Sequence, residues 1–188
     1  MRKVVLYIGW VGFGNHGDDV CFQIFSDQLA ARAQGQSIDL ELRALFPSSF
    51  TEYSLARLQP DLVVLGAGSL FEPVYLKPLV LAQQNAIPTA IWGSGWDSLL
   101  PTPIPAEQID PDCAYLIRRV VQETEVVGVR GPYTLEMLEK IGADHPLLHI
   151  SGDPGLLLAK TTASSPLWRR DRLGKPIIAV NWGTAGNK

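Results

Sequence analysis

The chain has 188 residues, room for one ordinary α/β domain or for one domain and the start of another. Apolar residues make up 46% and charged residues 19%, so a sizeable core can be buried. The formal net charge of −3 comes without a Lys/Arg stripe, which argues against nucleic acid as a partner, and no apolar run approaches the ~20 residues that span a bilayer.

Val4 to Gly9 is a continuous β-branched and aromatic run, the pattern of a strand covered on both faces. Asp18 to Arg32 has helical spacing through Val20, Ile24, Phe25 and Leu29. Ile38 to Leu45 alternates like a strand nearer an edge, and Thr51 to Leu58 predicts a short helix. Asp61 to Leu65 is a third strand running into Gly66-Ala67-Gly68-Ser69. Val74 to Asn85 predicts a helix whose start is placed after Pro78, because proline breaks the hydrogen-bond ladder. Pro88 to Trp92 is a fourth strand, closed by Gly93-Ser94-Gly95. A Pro-bearing loop follows from Pro101 to Pro111.

Cys113 to Glu123 predicts a helix and Glu125 to Val129 a fifth strand. Pro132 stands where a helix N1 proline belongs and Gly142 where its C′ glycine belongs. Leu147 to Ile150 is a short sixth strand leading into Gly152-Asp153-Pro154. Strands alternating with helices of this length imply βαβ units and a Rossmann-like, open parallel sheet with helices on both faces. Residues 1–160 read as that domain and 161–176 as a polar linker containing Arg169, Arg170, Arg172 and Lys175. Residues 177–188 read as the opening strand and Gly-rich turn of a second α/β domain that is cut off, with a last strand docking on the same sheet as the alternative.

Ligands of open α/β sheets bind outside the carboxyl ends of the strands, where loops and helix N-termini converge. The unusual residues of this chain collect there: Gly9 to Asp19, Gly66 to Ser69, Gly93 to Asp97, Arg130-Gly131-Pro132 and Gly152-Asp153-Pro154. Gly12, Gly14 and Gly17 satisfy the dinucleotide pattern G-x-G-x-x-G. However, Asp18 and Asp19 would repel a diphosphate at the helix start. The acid expected to close the second strand is also replaced by Leu45-Phe46-Pro47. The ligand expected instead is small and anionic or sugar-bearing. Asp18 and Asp19 are read either as helix caps or as a general acid/base, with His16 a further titratable group and Asn15 a polar neighbour. Arg130 ends an apolar strand, and its guanidinium fork suits a carboxylate or phosphate, with an ion pair to a nearby acid as the alternative. Asp153 reads as a turn residue. His16, His145 and His149 lack metal-ligand spacing, and no metal or cofactor is expected. Cys21 and Cys113 lack a paired pattern, which suits the cytoplasm.

In order and spacing, Gly9-Trp10-Val11-Gly12-Phe13-Gly14-Asn15-His16-Gly17-Asp18-Asp19, Val64 to Leu70, Gly93-Ser94-Gly95, Val129-Arg130-Gly131-Pro132 and Gly152-Asp153-Pro154 resemble the polysaccharide pyruvyl transferase family. Ala67 replaces a glycine of that family's turn. The resemblance implies a two-domain fold like that of GT-B glycosyltransferases. It also implies transfer of an enolpyruvyl unit from phosphoenolpyruvate to a sugar of a cell-surface polysaccharide or its lipid- or nucleotide-linked precursor. Under it Arg130 holds phosphoenolpyruvate, Asn15, Asp18 or Asp19 lies on the acceptor side, and Gly14, Gly17, Gly68, Ser69, Gly93 and Ser94 line the substrate. A lone N-terminal half is then expected to be inactive, and its exposed domain interface leaves homo-oligomerisation open. A nucleotide-sugar glycosyltransferase and a non-catalytic binding module are the competing readings, with flavin binding behind them.

Overall fold

The computed structural model describes residues 1–96 and 109–160; the expected linker and second-domain strand, and most of the Pro-bearing loop, lie outside them. The β-branched runs form β1 (Arg2–Ile8), β2 (Asp39–Leu45), β3 (Leu62–Leu65), β4 (Thr89–Ser94), β5 (Val126–Val129) and β6 (Leu148–Ile150). All neighbours pair in parallel, in the order β2-β1-β3-β4-β5-β6. The alternating segment from Ile38 does lie at an edge, as β2. The helices are α1 (His16–Gly35), α2 (Glu52–Leu58), α3 (Pro73–Gln84), α4 (Pro111–Gln122) and α5 (Pro132–Lys140), with 3-10 turns at Pro47–Ser49 and Pro154–Lys160. This is the Rossmann-like open sheet that the alternation predicts.

The chain leaves β1 toward β2 and then moves only the other way. Right-handed crossovers therefore put α1 on one face and the later helices on the opposite one. The packing follows. On the α1 face, Val5, Tyr7 and Val64 pack with Phe25, joined by Phe22 and Trp92. On the other, Leu6, Ile8, Val63, Leu65, Ile91, Val127 and Val129 meet Leu76 and Leu79 of α3, Ile117 and Val121 of α4, and Leu138 of α5. The 3-10 turn after β6 returns to pack on α1. Because the direction reverses at β1, the loops after β1 and β3 diverge and open a crevice at the carboxyl edge.

Three helix starts differ from the sequence reading. α1 begins at His16 because Asn15, in extended conformation, caps it by accepting from the Gly17 N–H. α4 begins at Pro111, with Asp110 accepting from the Cys113 N–H and the proline at N1. α3 starts at Pro73 and continues through Pro78. The carbonyl deprived of its partner there belongs to Val74, which is exposed, while Leu76, Leu79 and Ala82 on either side of the proline are fully buried. Burial of two leucines at ~1.5–3 kcal/mol each matches the ~3 kcal/mol cost of a helical proline.

Helix α5 closes as expected, with Gly142 at φ +71°, its N–H on the Glu139 carbonyl and the Ala143 N–H on the Leu138 carbonyl. α3 closes the same way, but Ala86 takes the left-handed position at φ +56°. An L-residue there is strained by about 1–2 kcal/mol, so Ala86→Gly is expected to raise unfolding free energy by about 1 kcal/mol and Gly142→Ala to lower it by a similar amount. Urea denaturation of both variants checks this; a loss of stability in Ala86→Gly would refute it.

Candidate functional site

At the divergence of β1 and β3 lies a cleft of about 580 Å³. Asn15, Gly17, Asp18 and Cys21 line it from the start of α1, Gly68 and Ser69 from the turn after β3, Arg130 from the end of β5, and Asp153 and Gly155 from the turn after β6. Trp10 and Tyr75 stand at its sides.

Backbone pairing carries the ladder beyond the strands and fixes this rim. The Gly66 N–H donates to the Ile8 carbonyl at 2.9 Å, Gly95 to Gly68 at 2.7 Å, Arg130 to Ser94 at 2.9 Å and Ser151 to Val129 at 2.9 Å. The Ser94 hydroxyl donates to the Gly66 carbonyl. Beneath the turn, the Tyr7 hydroxyl accepts the Ala67 N–H at 2.9 Å. Burial pushes the Tyr7 phenol well above its ordinary range, so it stays protonated.

Asp18 and Asp19 are adjacent but turn about 100° apart around the helix, and their surroundings differ accordingly. Asp19 accepts the Gly12 N–H at 2.7 Å and ties the glycine-rich loop down. Carboxylates therefore occupy both the Gly12 amide and the start of α1, the places where a diphosphate would need free donors. Asp18 faces the cleft, and a Cβ at Gly68 would come within 3.2 Å of its Oδ1. Burial raises the Asp18 carboxyl above its ordinary value; Arg130 opposes this, Asp19 adds to it, and a hydrogen bond with Asn15 opposes it. Arg130 Nε lies 3.2 Å from Asp153 Oδ2, an ion pair without hydrogen-bond alignment, since no acceptor among the described residues satisfies that buried N–H. Asp153 also accepts the Gly155 N–H at 2.8 Å. The cleft therefore sets one guanidinium between two carboxylates, one of them poised to hold a proton at higher pH than usual.

Of the residues singled out from the sequence, Asn15, Gly17, Asp18, Gly68, Ser69 and Arg130 meet around this cleft. Gly14, His16 and Asp19 lie outside its lining: Gly14 and His16 are exposed, and Asp19 is turned to the loop. Gly93 and Ser94 lie beneath it, Gly93 at φ +70° with Pro154 where a side chain would project, and Ser94 fully buried. Trp10, Val20, Cys21, Leu70, Tyr75, Asp153 and Gly155 complete the lining, none of them a ligand contact expected from the sequence. Cys21 could have been found, since it follows Asp18 by one helical turn. Asp153 is both the turn residue that its glycine and proline neighbours suggest and the partner of Arg130.

The raised Asp18 carboxyl has a measurable consequence. The folded state binds its proton more tightly than the unfolded state, so stability falls as pH rises through the window above the ordinary value of 3.8. Asp18→Asn is expected to raise the unfolding temperature at pH 7, with a gain that shrinks as pH falls toward 4. Thermal denaturation of both proteins across pH 4–7 checks it; a pH-independent difference, or a lower unfolding temperature at pH 7, would count against this account.

No helix among the described residues is long and apolar enough to cross a membrane. No curated protein matches the chain. Two solved structures show distant similarity. One is a conserved protein from Enterococcus faecalis V583, 13% identical over 86% of this chain and 99% of that one, with a TM-score of 0.32. The other, from Mycobacterium smegmatis, is 12% identical over 90% of this chain and 61% of that one, with a TM-score of 0.25. The family model for polysaccharide pyruvyl transferase matches residues 14–185. That span runs from the glycine-rich loop past Asp153 and takes in nearly all of the cleft, so the chain belongs to the polysaccharide pyruvyl transferase family.

Proposed function

We propose that the protein takes part in transferring a pyruvyl group from phosphoenolpyruvate to a saccharide of a cell-surface polysaccharide or its precursor, with the cleft after β1 and β3 as its substrate site. The observation that carries this reading is the placement of Asp18 and Arg130 in one cleft, close enough for the guanidinium to act on the carboxyl. The reaction protonates the alkene carbon of phosphoenolpyruvate while an acceptor hydroxyl adds to the adjacent carbon. A second hydroxyl then replaces the phosphate, and a cyclic ketal results. Arg130 would hold the donor carboxylate or phosphate, exchanging Asp153 for it. Asp18, made more basic by burial, would take the proton of the attacking hydroxyl and return one to the alkene carbon, the proton of the second hydroxyl leaving with the phosphate, and Asn15 and Ser69 would hydrogen-bond the sugar. Both cysteines are unpaired, which suits a reaction in the reducing cytoplasm.

Among the described residues, Arg130 is the one cation lining the cleft, and it stands against two carboxylates. A donor bearing both a carboxylate and a phosphate needs more positive charge than that. The chain alone is therefore a weak catalyst in this reading, the rest of the clamp coming from a second domain. Calorimetric titration of phosphoenolpyruvate, with phosphate and pyruvate as controls, tests the donor assignment. Wild type is expected to bind phosphoenolpyruvate more tightly than either control, Arg130→Ala at least tenfold more weakly, and Arg130→Lys in between. Equal binding of all three anions, or an unaffected Arg130→Ala, would rule the assignment out. Pyruvyl transfer by this chain at ordinary enzymatic rates would contradict the weak-catalyst claim.

A further inference from the structure

The glycine-rich loop carries apolar rings where a βα turn needs none. Trp10 and Phe13 from this loop and Phe46 from the end of β2 form a mutual triad, with ring centroids 5.2, 5.0 and 4.9 Å apart and interplanar angles of 48°, 79° and 56°. The cluster is open to solvent, with Trp10 38% and Phe13 56% exposed and Phe46 half-buried. It is also held in place. Phe13 stands between Gly12 at φ +87° and Gly14 at φ +80°, and Asp19 pins the loop through the Gly12 N–H. Trp10 belongs at once to the triad and to the wall of the cleft containing Asn15, Asp18 and Ser69.

We propose that this triad is a stacking platform for a pyranose ring of the saccharide acceptor, setting its hydroxyls toward Asn15, Asp18 and Ser69. The proposal rests on the pyruvyl transferase reading and names the acceptor side of that same site. A pyranose has one face of C–H bonds and a rim of hydroxyls. The electron-rich face of an aromatic ring attracts the former, and carboxylate, amide and hydroxyl groups recognise the latter. The structure juxtaposes these two kinds of partner through Trp10. The size of the patch also selects its occupant. Partly exposed rings of this kind present on the order of 200–300 Å², enough for one or two sugar rings. A stable protein interface buries roughly 800 Å² per partner, well beyond it.

Saturation-transfer NMR and calorimetry on the full 188-residue chain test the proposal, using glucose-, galactose- and mannose-configured tetrasaccharides as probes. Saturation of the aromatic protons is expected to reach the C–H protons of one pyranose face in at least one probe. Phe13→Ala and Trp10→Ala are expected to weaken that probe at least tenfold, with Phe13→Tyr within threefold of wild type. Phosphoenolpyruvate binding, measured alongside, is expected to stay within threefold in Phe13→Ala. Phosphoenolpyruvate binding without any saccharide binding, or saccharide binding indifferent to both alanine variants, overturns the platform while sparing the donor assignment. A change in self-association on Phe13→Ala with saccharide binding intact overturns it in favour of a protein contact. Failure of both ligands in wild type removes the parent reading and the platform together.

Discussion

The ring of Tyr7 fills the space that any side chain at position 66 would need, and the edge of the cleft is built on that contact. A Cβ at Gly66 would come within 2.1 Å of Tyr7 Cζ, and one at Gly9 within 2.9 Å of Cε1. The ring packs between Phe22 and Phe25 of α1, at centroid distances of 5.1 and 5.2 Å. One residue thus joins the helix that carries Asp18 to the turn that carries Gly68 and Ser69. Its hydroxyl accepts the Ala67 N–H, so a backbone donor that would otherwise be orphaned under the turn is satisfied from below. Two sides of the candidate site are in this way held by a core residue that lies outside the lining of the cleft.

On that rigid edge the charges are arranged unfavourably for the protein alone. Asp18 is kept partly out of water beside Asp19, and the Arg130 attraction only partly offsets the cost. Arg130 and Asp153 approach without an aligned hydrogen bond. Groups held short of their best partners are characteristic of sites that wait for a ligand. Asp19 shows the contrast. One position along the helix, it is satisfied by a backbone amide and serves the loop.

The fold was legible because its signals are local. Continuous apolar strand runs, helices at the right spacing, a proline at N1 and a glycine at C′ each state the conformation of their own segment. The departures came from tertiary context, apart from the local cap that Asn15 supplies to α1. Pro78 reads as a helix break until the burial of Leu76 and Leu79 on both sides of it is known. Asp18 reads as a cap until Asn15 is seen in that place. Ser94 looks like a ligand contact because it stands in a Gly-Ser-Gly turn. The register between β4 and β5 shifts at that point, and the hydroxyl turns inward to the Gly66 carbonyl.

By itself the sequence determined the class of sheet, the edge at which its unusual residues gather, and candidates that include Asn15, the pair Asp18 and Asp19, Ser69 and Arg130. These follow from periodicity and from the chemistry of individual side chains, which need no knowledge of distant neighbours. Only the tertiary structure decided which of two adjacent aspartates faces the cleft, that Asp153 stands beside Arg130, and that Trp10, Phe13 and Phe46 share one patch. Those facts depend on strand order and on how far each helix is turned about its axis. Segments more than a hundred residues apart in the chain become neighbours only when the sheet is assembled.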